Sequence, residues 1–147
     1  MEIVKYPNKI LTTKCPPYEH LFFFEDHKIA VEMVGLMLAD KNCVGIAANQ
    51  VGIAKRFFVM RQPAGNRMCF DPVILKHGRD IEILSEGCMS LPGLRVPVPR
   101  WRIVTVEYTN DKKNRVTLTL KGLEARIFQH ELDHLNGLMI IKTDDDQ

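Results

Sequence analysis

The chain has 147 residues, 46% apolar and 26% charged, enough for one domain with its own core and too apolar for a disordered segment. Twenty lysines and arginines stand against 18 aspartates and glutamates, a net charge of +2. That balance carries no electrostatic footprint for nucleic acid or an anionic membrane. The first ten residues lack the apolar core of a signal peptide, and no apolar run approaches the roughly 18 residues needed to span a bilayer. A cytoplasmic location is therefore expected. Reduced thiols are expected with it at Cys15, Cys43, Cys69 and Cys88, which form no CxxC pair.

No repeat or low-complexity linker divides the chain, so residues 1–147 read as a single domain. The first periodic segment runs from about Asp26 to Ala39, with Ile29, Met33, Leu36 and Met37 on one helical face and Asp26 as its N-cap. An irregular stretch follows, Cys43-Val44-Gly45-Ile46-Ala47-Ala48-Asn49-Gln50. Arg56 to Met60 predicts a buried strand and the segment from Gln62 to Asn66 a turn. Met68 to Leu84 reads as short strands broken near Asp71-Pro72 and His77-Gly78. Alternation over Arg102–Thr109 and Val116–Leu120, with polar residues between, predicts a hairpin. A last helix spans about Leu123 to Leu135. Leu123, Ile127, His130 and His134 face inward, with Phe128 beside them, and Asn136-Gly137 is the stop. Helices and strand runs in this order argue α+β rather than a doubly wound parallel sheet. Asp144, Asp145 and Asp146 read as a solvated end.

The strongest chemical signal is His130-Glu131-Leu132-Asp133-His134. Histidines four apart on a helix project from one face, so both imidazoles can reach one metal ion. Glu131 lies close enough to serve a water on that metal as general base. Two histidines on a helix also occur by chance, but apolar neighbours here indicate burial, where unpaired imidazoles are costly. A catalytic site needs a third protein ligand and an open position. The metzincin position for a third histidine is Ile140, so the ligand must come from upstream. Cys88, in Glu86-Gly87-Cys88-Met89-Ser90, is the candidate: glycine and proline nearby describe a tight bend presenting one thiol. The other cysteines default to small buried apolar residues. The small residues of Gly45–Ala48 permit close backbone approach to a ligand, and Gln50 offers an amide N–H to a polarised oxygen.

Together the segments CVGIAANQ, EGCMS and HELDH resemble, in order, the peptide deformylase motifs GxGxAAxQ, EGCxS and HExDH. The resemblance covers nearly the whole chain. It implies small mixed or antiparallel sheets packed around a central metal-binding HExxH helix. It also implies removal of the N-formyl group from the initiator methionine of nascent polypeptides, with release of formate. Cys88, His130 and His134 would hold one divalent ion, natively Fe²⁺, with Zn²⁺, Ni²⁺ or Co²⁺ able to replace it. Glu131 would act as general acid and base. Gln50 and the Met89 backbone N–H would face the developing oxyanion. The formyl-methionyl peptide would lie extended along backbone near Gly45, Ile46 and Gly87, positioned by Arg95. Its methionine side chain would enter a pocket of Leu84, Leu123, Ile127 and the stem of Arg126.

Three departures stand out. Cys43 replaces the family's first glycine, and Arg126 occupies a pocket position usually apolar in bacterial members. No counterpart of the bacterial C-terminal helix follows His134, which leaves ribosome contact open and suits a phage-encoded or otherwise minimal member. Neither membrane nor direct nucleic-acid binding is expected. The rival enzyme reading is an HExxH protease, disfavoured by the absent downstream ligand. The non-enzymatic reading is an inactive metal-binding relative, disfavoured because the glutamate and all three ligands are present and a structural zinc would want a fourth.

Overall fold

The computed structural model describes residues 1–20 and 23–143; the acidic run Asp144–Asp146 lies outside them. Helix α1 spans Phe23–Leu38. Strands β1 (Gly45–Ala47), β2 (Phe57–Gln62), β3 (Gly65–His77), β4 (Ile81–Cys88), β5 (Leu91–Trp101), β6 (Ile103–Thr109) and β7 (Arg115–Lys121) follow, then helix α2 (Gly122–Leu135). Five strands form one sheet in the order β1-β2-β3-β6-β7, and β4-β5 form a separate hairpin. Every pairing is antiparallel. The α+β class is thus borne out.

Strand β2 shows how the core is built. Its residues alternate between faces, and both faces are covered. Phe58 and Met60 pack with Val104, Val106, Leu120 and Phe128 on the α2 side. Phe57 and Val59 pack with Ala30, Met33, Met37 and Phe70 on the α1 side. The strand is buried throughout its apolar run because a helix lies over each face.

The first helix starts earlier than the N-cap reading places it. Asp26 lies inside α1, fully buried, where it accepts from Tyr18 Oη at 2.8 Å and pairs with Lys55 Nζ at 2.8 Å. Those distant partners, not a helix terminus, account for a carboxylate at that position. Asp71-Pro72 is a bulge inside β3 rather than a break, with Asp71 at φ 51° and the register shifting between Phe70 and Val73. Strand β5 is absent from the sequence reading because Pro92, Pro97 and Pro99 argue against a strand. It forms as the outer member of a two-stranded sheet, where a missing N–H can face away from the partner. The β6–β7 hairpin has its predicted turn, with Asn110 Oδ1 accepting from the N–H groups of Lys112 and Asn114.

Helix α2 stops at the expected place. Gly137 adopts φ 74°, and Leu138 N–H reaches back to Asp133 O at 2.9 Å, the six-to-one bond of a Schellman stop. The last carbonyls gain further donors: Asn49 Nδ2 to His134 O at 2.6 Å, and Arg56 Nη1 to Leu135 O at 3.0 Å. These bonds lock the end of the helix against the 3₁₀ turn Ala48–Val51 and the start of β2. Among the described residues, no helix is long and apolar enough to cross a membrane.

Candidate metal centre

A cleft of about 690 Å³ separates the β1 region from the β4–β5 hairpin, with α2 as its floor. Cys88 is the last residue of β4, and a two-residue turn, Met89-Ser90, follows it. From α2, one turn apart, come His130 and His134. One donor atom of each of these three residues lies within 4.8 Å of the others. Cys88 Sγ is 3.4 Å from His134 Nε2, and the two histidine Nε2 atoms are 3.2 Å apart. The three residues singled out as metal ligands are therefore brought together, with a thiol and two imidazoles aimed at one point.

Glu86, which the sequence reading leaves without a role, orients this group. Its Oε1 accepts from His130 Nδ1 at 2.9 Å and Arg100 Nη2 at 2.8 Å. Its Oε2 accepts from Arg100 Nε at 2.9 Å and from Arg126 Nη1. A carboxylate on Nδ1 fixes the ring and leaves Nε2 free for a metal. Burial disfavours charge on Glu86, but the bonds from Arg100 and His130 prevail and hold its carboxyl well below the usual range. Burial likewise works against charge on His130, yet its bonds to Cys88 and Glu86 raise its pKa to about 10. Burial, then the charge of His130, pushes His134 far the other way. A soft thiol with two imidazoles fits a divalent transition ion, and the residues present fit such a group.

Glu131 is 2% exposed, and its Oε1 is buried without a hydrogen-bond partner. Burial pushes its carboxyl up to about 7, against the pull of His130 and Arg100. Its carboxylate lies over Gly45: a Cβ there would stand 2.6 Å from Oε2, so a larger residue would displace it. Gln50 folds back on its own turn, Oε1 accepting from Ala47 N–H at 3.0 Å. Its Nε2 donates to Ser90 Oγ at 3.1 Å and points at Cys88 Sγ at 3.6 Å.

Of the expected substrate-binding residues, Gly45, Gly87, Arg95, Leu123, Arg126 and Ile127 line the cleft. Arg95 is held by Ser85, through Oγ at 3.2 Å and O at 2.9 Å. Ile46 and Leu84 do not. Val44 O accepts from Arg61 N–H at 2.8 Å, so by strand parity Ile46 also turns its backbone groups toward β2, while Gly45 and Ala47 turn theirs to the open edge. The Ile46 side chain is fully buried in the α1-side core. Leu84 is 46% exposed on β4, and Leu123, expected to face inward, is 66% exposed at the mouth of the cleft. Arg126 is buried, and its guanidinium is held by Glu86, Val98 O (3.0 Å) and Glu82 O (2.6 Å). Cys43 buries its thiol in the α1-side core and points it at Gly45 O, 3.5 Å away.

A family model described as polypeptide deformylase matches residues 1–147. A peptide deformylase of Thermotoga petrophila is 46% identical over 98 residues, a stretch spanning 67% of this chain and 60% of that relative. The crystal structure of peptide deformylase from Thermotoga maritima superposes with a TM-score of 0.88 at 36% identity, covering 95% of this chain and 93% of that one. That of the enzyme from the Vibrio parahaemolyticus bacteriophage VP16T, in complex with actinonin, superposes with a TM-score of 0.86 at 34% identity, covering 95% and 100%. With the ordered motifs, the site geometry and the match along its whole length, this chain belongs to the peptide deformylase family.

Proposed function

We propose that the protein hydrolyses the N-formyl group from the initiator methionine of nascent polypeptides, using an ion held by Cys88, His130 and His134. The observation that carries this reading is the meeting of those three donors within 4.8 Å, beside a buried glutamate with an unpartnered oxygen. When bound, the ion supplies Lewis-acid polarisation of the formyl oxygen and lowers the pKa of an attacking water. Glu131 takes the proton from that water and passes it to the departing amine nitrogen, so that formate and a free N-terminus leave. Its raised pKa suits a group that must both accept and return a proton near neutrality. The Gln50 amide and the Met89 backbone N–H are the donors assigned to the developing oxyanion. The peptide lies along the outward backbone groups of Gly45, with Gly87 and Arg95 opposite, as an added strand. Ile127 and the stems of Leu123 and Arg126 receive the methionine side chain. A formyl-methionyl substrate assigns the activity to a bacterial or phage-infected cytosol.

The test is formate release from a formyl-Met peptide by metal-loaded protein handled without air. Glu131→Gln should keep its metal and lose about 10²–10⁴ in turnover. Metal-loaded wild-type protein that releases no formate would overturn the assignment, and cleavage of internal peptide bonds would favour a protease. We further assign Fe²⁺ as the native ion. Iron and a thiolate ligand are both oxidisable, so iron-loaded protein should lose activity in air faster than nickel-loaded protein. Equal half-lives would reject iron sensitivity.

A further inference from the structure

The two walls of the cleft belong to different sheets, and among the described residues no strand pairs across them. Residues 4–6, outside any helix or strand, join the walls at one end. Val4 N–H donates to Gln50 O at 2.7 Å, and Tyr6 N–H donates to Ser90 O at 3.0 Å. Between them Lys5 reaches over with its side chain, Nζ donating to Met89 O at 3.1 Å. Gln50 Nε2 closes the ring on Ser90 Oγ. Both carbonyls of the turn that follows Cys88 are therefore tied to this segment, and its hydroxyl is tied to Gln50.

Lys5 is the one side chain of the three that lines the cleft. An ammonium on a carbonyl is a charge-assisted bond, stronger than a neutral one. Holding the Met89 carbonyl restrains a backbone with only two soft dihedrals per residue, and so restrains the direction of the Met89 N–H. The side chain is exposed, so its loss should fall on the turn and not on the core.

We propose that Lys5 is a positioning residue: through the Met89 carbonyl it holds the Met89–Ser90 turn in register with Gln50, so that the Met89 N–H and the Gln50 amide serve one oxygen. This rests on the deformylase reading above.

The experiment compares nickel-loaded wild type, Lys5→Met and Lys5→Arg for kcat, KM, metal content and thermal midpoint. Amide exchange at Tyr6 is followed by NMR in the same proteins with and without nickel. Lys5→Met should lower kcat about fivefold with KM changed less than about twofold, the worth of one partly solvated hydrogen bond. Tyr6 exchange should rise by about the same factor, metal content and midpoint should hold, and Lys5→Arg should restore both rates. Wild-type kcat and exchange in Lys5→Met would overturn the proposal. So would a loss of kcat that tracks lost metal or lost stability, or a loss that arginine fails to repair. If wild type releases no formate, the deformylase reading falls, while the exchange measurement still decides whether Lys5 holds the turn.

Discussion

At the scale of single residues, Glu86 holds three side chains around the site at once. It is buried between Arg100, Arg126 and His130, so removing its charge leaves Arg100 paired with Asp133 alone and Arg126 with only the carbonyls of Val98 and Glu82. Glu86→Gln should cost about 3–5 kcal/mol of unfolding free energy. It should also weaken metal binding about 10–100-fold, because His130 loses the acceptor that orients it. Urea titration and chelator competition read the two effects, and an unchanged metal affinity would remove Glu86 from the site. Its role was not legible in the sequence. The carboxylate stands in a recognisable motif, but its partners lie 14, 40 and 44 residues away, and spacing cannot report contacts made only by folding. Asp26 misled for the same reason: an acid before an apolar run reads as a cap until Tyr18 and Lys55 close on it. The candidate metal ligands were legible because two share one helical face and the third sits in a bend with its own composition.

At the scale of elements, α2 carries both histidines and Glu131, and its C-terminal end is held from outside. Arg56 donates to Cys15 O, Leu135 O and Asn136 Oδ1, so that the last carbonyl of α2, one a helix leaves orphaned, gains a donor. Arg56→Met should lower unfolding free energy by about 1–3 kcal/mol, seen as an earlier urea midpoint at an unchanged slope. An unmoved midpoint would make the contact incidental. The β6–β7 hairpin and α2 were predictable because their periodicity is local and their turn residues have one use. Strand β5 was not: its prolines forbid an interior strand, and only the two-stranded partnership with β4 makes them harmless. Within β1 the phase also needed the structure. A three-residue strand has no alternation to read, so Ile46 could not be told from its neighbours.

At the scale of the whole molecule, the buried thiol at Cys43 links stability to pH. Burial, then the charge of Glu131, raises its pKa to about 11. The folded state thus prefers the protonated thiol. The stabilisation is complete below the unfolded thiol's pKa of about 8.5 and is lost as pH rises through about 11. The thiols of Cys15 and Cys69, also raised by burial, add to the same fall, and Tyr18, raised by burial and then by its bond to Asp26, acts in the same direction at still higher pH. Urea midpoints followed from pH 8 to 11 should fall, and Cys43→Ala should fall less steeply. Parallel curves would show that Cys43 contributes nothing to that fall.

The prolines of β5 have a consequence for the company the protein keeps. Pro97 and Pro99 sit opposite Ser85 and Ile83, so the amide hydrogens they lack are missing from the rim that faces away from β4. Another polypeptide laid along that rim would find acceptors without matching donors, and would gain no continuous seam. The outward groups of Gly45 on β1 face no such veto. A passing unfolded chain is thereby welcomed where chemistry can follow and turned away where it could only accumulate.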